Sequence, residues 1–139
     1  MKDEVFARLS NDATMIGLLP GGIYDAEVVD EISEQKTPAA YDTDWLSFRP
    51  CMLVKQGAIV TDGPVPTATR QTITLYFYQP RGSSIINQAR KRAFALLHDI
   101  RLTPASGGAY ELQHTDSILT VDDVLDTQLW VSRYAVYTT

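Results

Sequence analysis

The strongest pattern in the chain is the alternation in TRQTITLYFYQ, residues 69–79. Ile73, Leu75 and Phe77 fall on one side of an extended backbone, and Thr72, Thr74, Tyr76 and Tyr78 fall on the other. That period of two predicts a half-buried strand. A second pattern follows with a different period. Over residues 83–102, Ile85, Ile86, Ala89, Ala93, Leu96, Leu97 and Ile100 recur at helical spacing. A helix is expected there, capped by Ser83 or Ser84, with His98 and Arg101 suited to its C-terminal dipole.

Residues 1–19 also read as helical. Val5, Leu9, Ile16 and Leu19 share a broad apolar face, with Phe6 and Met15 at its margins. Ser10-Asn11-Asp12 interrupts it, Asp12 caps a second short helix, and Pro20-Gly21-Gly22 stops it. A strand is expected at 23–29, with Asp25 and Glu27 facing solvent. The segment 30–47 is a long acidic loop anchored by Tyr41 and Trp45; loops of that length usually carry contacts. A strand at 50–60 carries a bulge near Gly57, and 61–68 forms a hairpin tip. A short strand at 110–114, an acidic connector at 121–126 and a β-branched, aromatic strand at 128–137 complete the chain. The expected fold class is α+β: a mainly antiparallel sheet of about four to five strands, with an N-terminal helix and one long helix packed on it.

Composition narrows the function classes. The 139 residues suit one domain, and 45% hydrophobic content supports a core. No window approaches the roughly 18 apolar residues of a membrane span, and the N-terminal stretch lacks the apolar core of a secretory signal, so folding in a cytoplasm is expected. A net charge of −5 opposes a duplex-binding surface but suits a wall that DNA passes without sticking. The single Cys51 sits in an apolar run, where burial raises its pKa and leaves it inert.

The chemistry-bearing residues form no recognisable catalytic or cofactor motif. His98, His114 and Cys51 lack metal-ligand spacing, and neither metal nor cofactor is expected. No nucleophile elbow surrounds a serine. The acidic pairs and triplets lie in loops, where solvation is the simplest account. Arg90-Lys91-Arg92 spreads through about 200° of a helix and makes no stripe; it reads as a solvated helix face, with a salt-bridge partner for an acidic neighbouring subunit as the alternative. The joint PRGSS has one glycine and no lysine, so it is no phosphate-cradling loop. It reads as a β-to-α turn, with a weak anion site at Arg81, Ser83 and Ser84 as the alternative. The aromatics Tyr76, Tyr78, Trp130, Tyr134 and Tyr137 occupy strand faces that cannot all be core, and interface burial suits the remainder.

Taken in order, LLPGGIYD, RPCMLV, TITLYFYQP, INQARKRAFALLHDI and LWVSRYAVY resemble the tail terminator proteins of long-tailed phages, the family that includes the lambda tail terminator and related minor tail proteins. The resemblance covers nearly the whole chain, 1–139, as a single domain. It implies a non-enzymatic virion protein at the head–tail junction, assembled in the host cytoplasm. Its copies would form a hexameric ring that caps the tail tube, stops polymerisation, meets a head-closure or connector protein and lets DNA pass through the lumen. The family has no catalytic residues to carry over. For such a ring the expected interface residues are Tyr41, Trp45, Val65 in the hairpin tip, Tyr76, Tyr78, Trp130, Tyr134 and Tyr137. Three alternatives stand beside it: a head-closure adaptor at the same junction, a component of a phage-derived contractile or toxin-delivery tail, and a small anion- or nucleotide-binding domain using the 81–84 helix start.

Overall fold

The computed structural model describes residues 2–61, 69–103 and 110–138. Val65 and the 61–68 tip beyond Thr61 lie outside them. The chain opens with α1 (Lys2–Ser10) and α2 (Ala13–Leu18), broken at Asp12 as expected. The Asp12 carboxylate accepts from the Met15 N–H at 2.9 Å and from the Arg92 guanidinium at 3.0 and 2.7 Å. One side chain therefore caps α2 and ties it to the later long helix. Met15 is fully buried rather than marginal, and Ile16, expected on the apolar face, is 53% exposed. A helix turns 100° per residue, so a short helix that points Met15 inward turns its neighbour away.

Among the described residues six strands form one sheet, more than the four to five expected. They are β1 (Ile23–Asp25), β4 (Cys51–Thr61), β5 (Thr69–Gln79), β6 (Ile100–Leu102), β7 (Tyr110–Asp122) and β8 (Thr127–Thr138), in the spatial order β1-β4-β5-β8-β7-β6. All neighbours are antiparallel except β1 and β4. A separate two-residue pair, β2 (Tyr41–Asp42) and β3 (Ser47–Phe48), lies within the segment read as a loop. The register of β4 on β5 shifts between Gln56 and Ile59, around Gly57, where a bulge was expected.

Two boundary expectations are corrected. β1 ends at Asp25 because the Val28 and Val29 N–H groups fold back onto the Asp25 carbonyl at 2.9 and 3.0 Å. Asp25 does not face solvent: its carboxylate is 2.9 Å from the Lys2 ammonium, and both side chains are largely covered. The other correction concerns the long helix, α3 (Ser84–Leu97), which stops before Ile100 and Arg101. His98 turns into an extended conformation, Asp99 adopts a positive φ of 57°, and its N–H donates to the Leu112 carbonyl at 2.8 Å. Residues 100–102, with Arg101, then add a strand to the sheet.

The sheet carries a buried cluster on each face. On one, Met52, Val54, Ile73, Leu75, Phe77, Tyr134 and Val136 lie beneath Val5, Leu9, Met15 and the α3 residues Ile86, Ala89, Ala93 and Leu97. Ala89 and Ala93, one turn apart, let the helix approach the strands closely. On the other, Cys51, Leu53 and Tyr78 are covered by Ile32, Ala40 and Phe48. The acidic segment is therefore a lid over the Cys51, Leu53 and Tyr78 part of the second face, with a 3-10 turn at Pro38–Ala40.

The helix start is held by a residue the sequence did not single out. Ser83 occupies the N-cap position but makes no side-chain cap bond. Instead the buried Gln79 side-chain oxygen accepts from the Ile85 and Ile86 N–H groups at 2.9 and 3.1 Å. Gln79→Ala orphans both donors and is expected to cost about 2 kcal/mol. Denaturant unfolding should show this as a lower midpoint at unchanged slope; an unshifted midpoint would mean that water caps the helix equally well.

Candidate functional site: a twin-hairpin end of the sheet

Chain direction brings three connections to one end of the sheet: the β2–β3 hairpin leading into β4, the β5-to-α3 joint, and the β7–β8 hairpin. The two hairpins are built alike. Asp42 pairs with Ser47, and Asp122 pairs with Thr127, across four-residue loops. The Asp42 carboxylate accepts from the Asp44 and Trp45 N–H groups at 3.0 and 3.3 Å. The Asp122 carboxylate accepts from Val124 and Leu125 at 3.0 and 2.9 Å. The fourth loop residue, Leu46 or Asp126, has φ of 53° in both. An aspartate holding its own turn two and three residues on is a recurrent local device. Here it appears twice at one place.

Between the hairpins lies a cleft of about 480 Å³, lined by Glu34, Tyr41, Leu46, Arg81, Val124 and Asp126 among others. Three of the four positive-φ non-glycine residues among those described, Leu46, Arg81 and Asp126, line it. The hairpin tips expose apolar side chains where turns normally carry polar ones: Trp45 is 67%, Leu46 75% and Val124 93% exposed. The Arg81 guanidinium sits 5.8 Å from the Trp45 ring centroid, a distance at which a cation is attracted to the ring face. Burial and the neighbouring Glu34 carboxylate push the Tyr41 hydroxyl pKa up.

The expected interface residues separate in the structure. Trp45 is at the exposed rim. Tyr41 is half-buried and meets Phe48 edge-to-face at 5.0 Å, so it anchors its hairpin. Tyr76 and Tyr78, expected to face outward, lie on the face covered by the acidic segment, and Tyr78 is 7% exposed. Tyr134 is fully buried in the helix-side core and has no surface to offer a partner; burial raises the pKa of both the Tyr78 and Tyr134 hydroxyls. Trp130 is half-buried under the Arg90 guanidinium, 4.5 Å from its ring centroid. Tyr137 is half-buried on β8. At the alternative anion site of Arg81, Ser83 and Ser84, the Ile85 and Ile86 N–H groups already donate to Gln79, which takes those two donors from an anion.

One cluster was invisible in the sequence. His98 Nδ1 accepts from the His114 N–H at 3.0 Å, and His114 Nε2 and Ser117 Oγ share a 2.8 Å hydrogen bond. Ser117 Oγ and Ser132 Oγ are 2.9 Å apart. Phe94 stacks on His98 at 4.4 Å. A serine beside a histidine invites a nucleophile reading, but Asp116, the nearby carboxylate that could orient the ring, is bound to Arg133 at 2.8 Å. The cluster instead fastens the end of α3 to β7. Burial, with His98 next, lowers the His114 pKa. Among the described residues no group of three His, Cys, Asp or Glu side chains could hold a metal ion, and no helix is long and apolar enough to cross a membrane.

The architecture is thus a two-faced α+β sheet with an apolar, acid-rimmed platform at one end and, among the described residues, no assembled catalytic group. No protein-family profile matches the chain. Its fold is similar to that of a chain in the virion of a native gene transfer agent (GTA) particle, with a TM-score of 0.68 at 12% identity, covering 99% of this chain and 93% of that one. It is also 26% identical over 113 residues, or 76% of its length, to one component of the Na(+)-translocating NADH-quinone reductase of Marinomonas sp. (strain MWYL1). The chain spans 25% of the length of that curated relative, too little to bring the larger protein's activity with it.

Proposed function

We propose that this chain is a non-enzymatic virion structural protein of the tail-terminator type. Copies form a ring of about six at the head–tail junction, cap the tail tube, stop its polymerisation and join it to a head-closure or connector protein. The observation that carries this reading is the fold likeness to a gene transfer agent virion chain over nearly the full length of both. The exposed Trp45, Leu46 and Val124 agree with it, since a ring repeats one heterologous contact around an axis. The net charge of −5 suits a lumen through which DNA slides.

The test mixes purified protein with assembling tube protein of the same particle. Short capped tubes ending in rings are expected by electron microscopy, with ring mass in light scattering. A protein that stays strictly monomeric, both alone and with tubes, overturns the proposal. Rings that ignore tubes but bind a connector assign it to the connector side as a head-closure adaptor.

A further inference from the structure

We propose that the twin-hairpin end of one copy docks on the helix-side surface of the next copy. This deepens the ring reading and rests on it. The first surface is the rim described above. Its exposed Trp45, Leu46 and Val124 are accompanied by Asp44, Asp123 and Asp126, none of which enters an ion pair among the described residues. The second surface is on the same chain but does not overlap it. Arg90, Lys91 and Phe94 share one face of α3 at helical spacing, and Phe94 is 41% exposed. Arg90 lies over Trp130, which pairs in register with the 44%-exposed Leu119.

This second patch is apolar and cationic. Neither Arg90 nor Lys91 has a carboxylate partner among the described residues: Arg90 donates only to the Asn87 side-chain oxygen, at 2.8 and 3.3 Å. Both patches have an apolar centre, and apart from Arg81, which lies against Trp45 in the rim, their unpaired charges are of opposite sign. Two different patches on one chain make a head-to-tail contact that propagates, and such a contact closes into a ring when its rotation permits. Depletion of charge at the centre with aromatic and Arg anchors is also the usual composition of a protein interface.

Charge reversal with rescue tests this on the full chain. Asp123→Arg and Lys91→Glu should each weaken self-association, and the double variant should restore it, because the pair reverses together. Val124→Asp, at the centre of the rim, should raise the assembly midpoint concentration by roughly 30-fold, the size of an interface hot spot. Ile118→Asp, on the opposite face of β7, should leave it unchanged. Unchanged melting temperatures confirm that each variant folds. Carbodiimide coupling of the wild type should also join Lys91 of one copy to a hairpin carboxylate of another. Rings that form normally with Val124→Asp, or reversals without rescue, overturn this contact and leave the ring reading intact. A wild type that never self-associates overturns the contact too, and the tube-capping assay then decides the virion role separately.

Discussion

Replacing Lys2 with alanine should lower the unfolding free energy by about 3 kcal/mol. The Lys2 ammonium lies 2.9 Å from Asp25 and 2.7 Å from Glu27, and its side chain is 5% exposed. Burial alone would lower the Lys2 pKa, but the Glu27 and Asp25 carboxylates outweigh it and hold it well above the usual lysine range. Glu27 is mostly exposed and loses little when its partner goes. Asp25, at 14% exposure, is left as an uncompensated charge where α1 meets β1. Lys2→Met keeps the apolar stem and should be nearly as damaging, which separates charge from packing. Unfolding in denaturant measures both; a loss below about 1 kcal/mol would place Lys2 with ordinary surface pairs.

The same pair sets a pH dependence. The Asp25 carboxyl is buried, which would raise its pKa, yet Lys2 holds it below the ordinary 3.8. Its contribution is therefore present above pH 3.8 and lost as pH falls through the lower folded value. Asp12 behaves alike through Arg92. The raised Lys2 contributes fully below its ordinary 10.5 and loses that contribution only in strong base. Stability should hold between about pH 5 and 9 and fall below about pH 4. In Lys2→Ala the part of that acid slope owed to Asp25 should shrink.

Gly21→Ala should be comparably severe, at about 3 kcal/mol. A Cβ there would stand 2.9 Å from the backbone oxygens of both Arg49 and Pro50, and 3.0 Å from the Cys51 Cβ. Backbone oxygens cannot rotate away, and the Gly21 N–H already donates to Pro50 at 2.9 Å. Gly17 is the control. A Cβ on it meets nothing within 4 Å, so Gly17→Ala should gain about 0.5–1 kcal/mol of helix propensity. Thermal or chemical unfolding of the two variants checks the ordering. Equal effects would mean that the α2-to-β1 turn can open without cost.

These glycines show how much of the fold the sequence carried. Pro20-Gly21-Gly22 marked the end of α2, and Asp12 marked its start, because both signals are local. The alternation in β5 was legible for the same reason: Ile73, Leu75 and Phe77 each report one face directly. β7 was legible only at its start, because its register shifts between His114 and Asp116. An extra residue inverts the alternation, so Leu112 and Ile118 point to opposite faces despite their even spacing. The cover over Tyr76 and Tyr78 was hidden because Ile32, Ala40 and Phe48 are sparse and follow no period. Of the candidate site, Trp45 was legible from its place in a polar segment. Val124 was hidden among acidic neighbours. The matching of the two hairpins depends on how Asp42 and Asp122 fold back on their own loops, which composition does not reveal.

The lid over the second face has a kinetic consequence. Cys51 is fully buried beneath it, and burial pushes its thiol pKa up to about 12. A thiolate-seeking reagent can reach the sulfur only while the segment is lifted. The chain therefore carries its own clock: the labelling rate of this one sulfur counts how often residues 26–48 detach, and a partner seated on Trp45 and Leu46, which belong to that segment, should slow it.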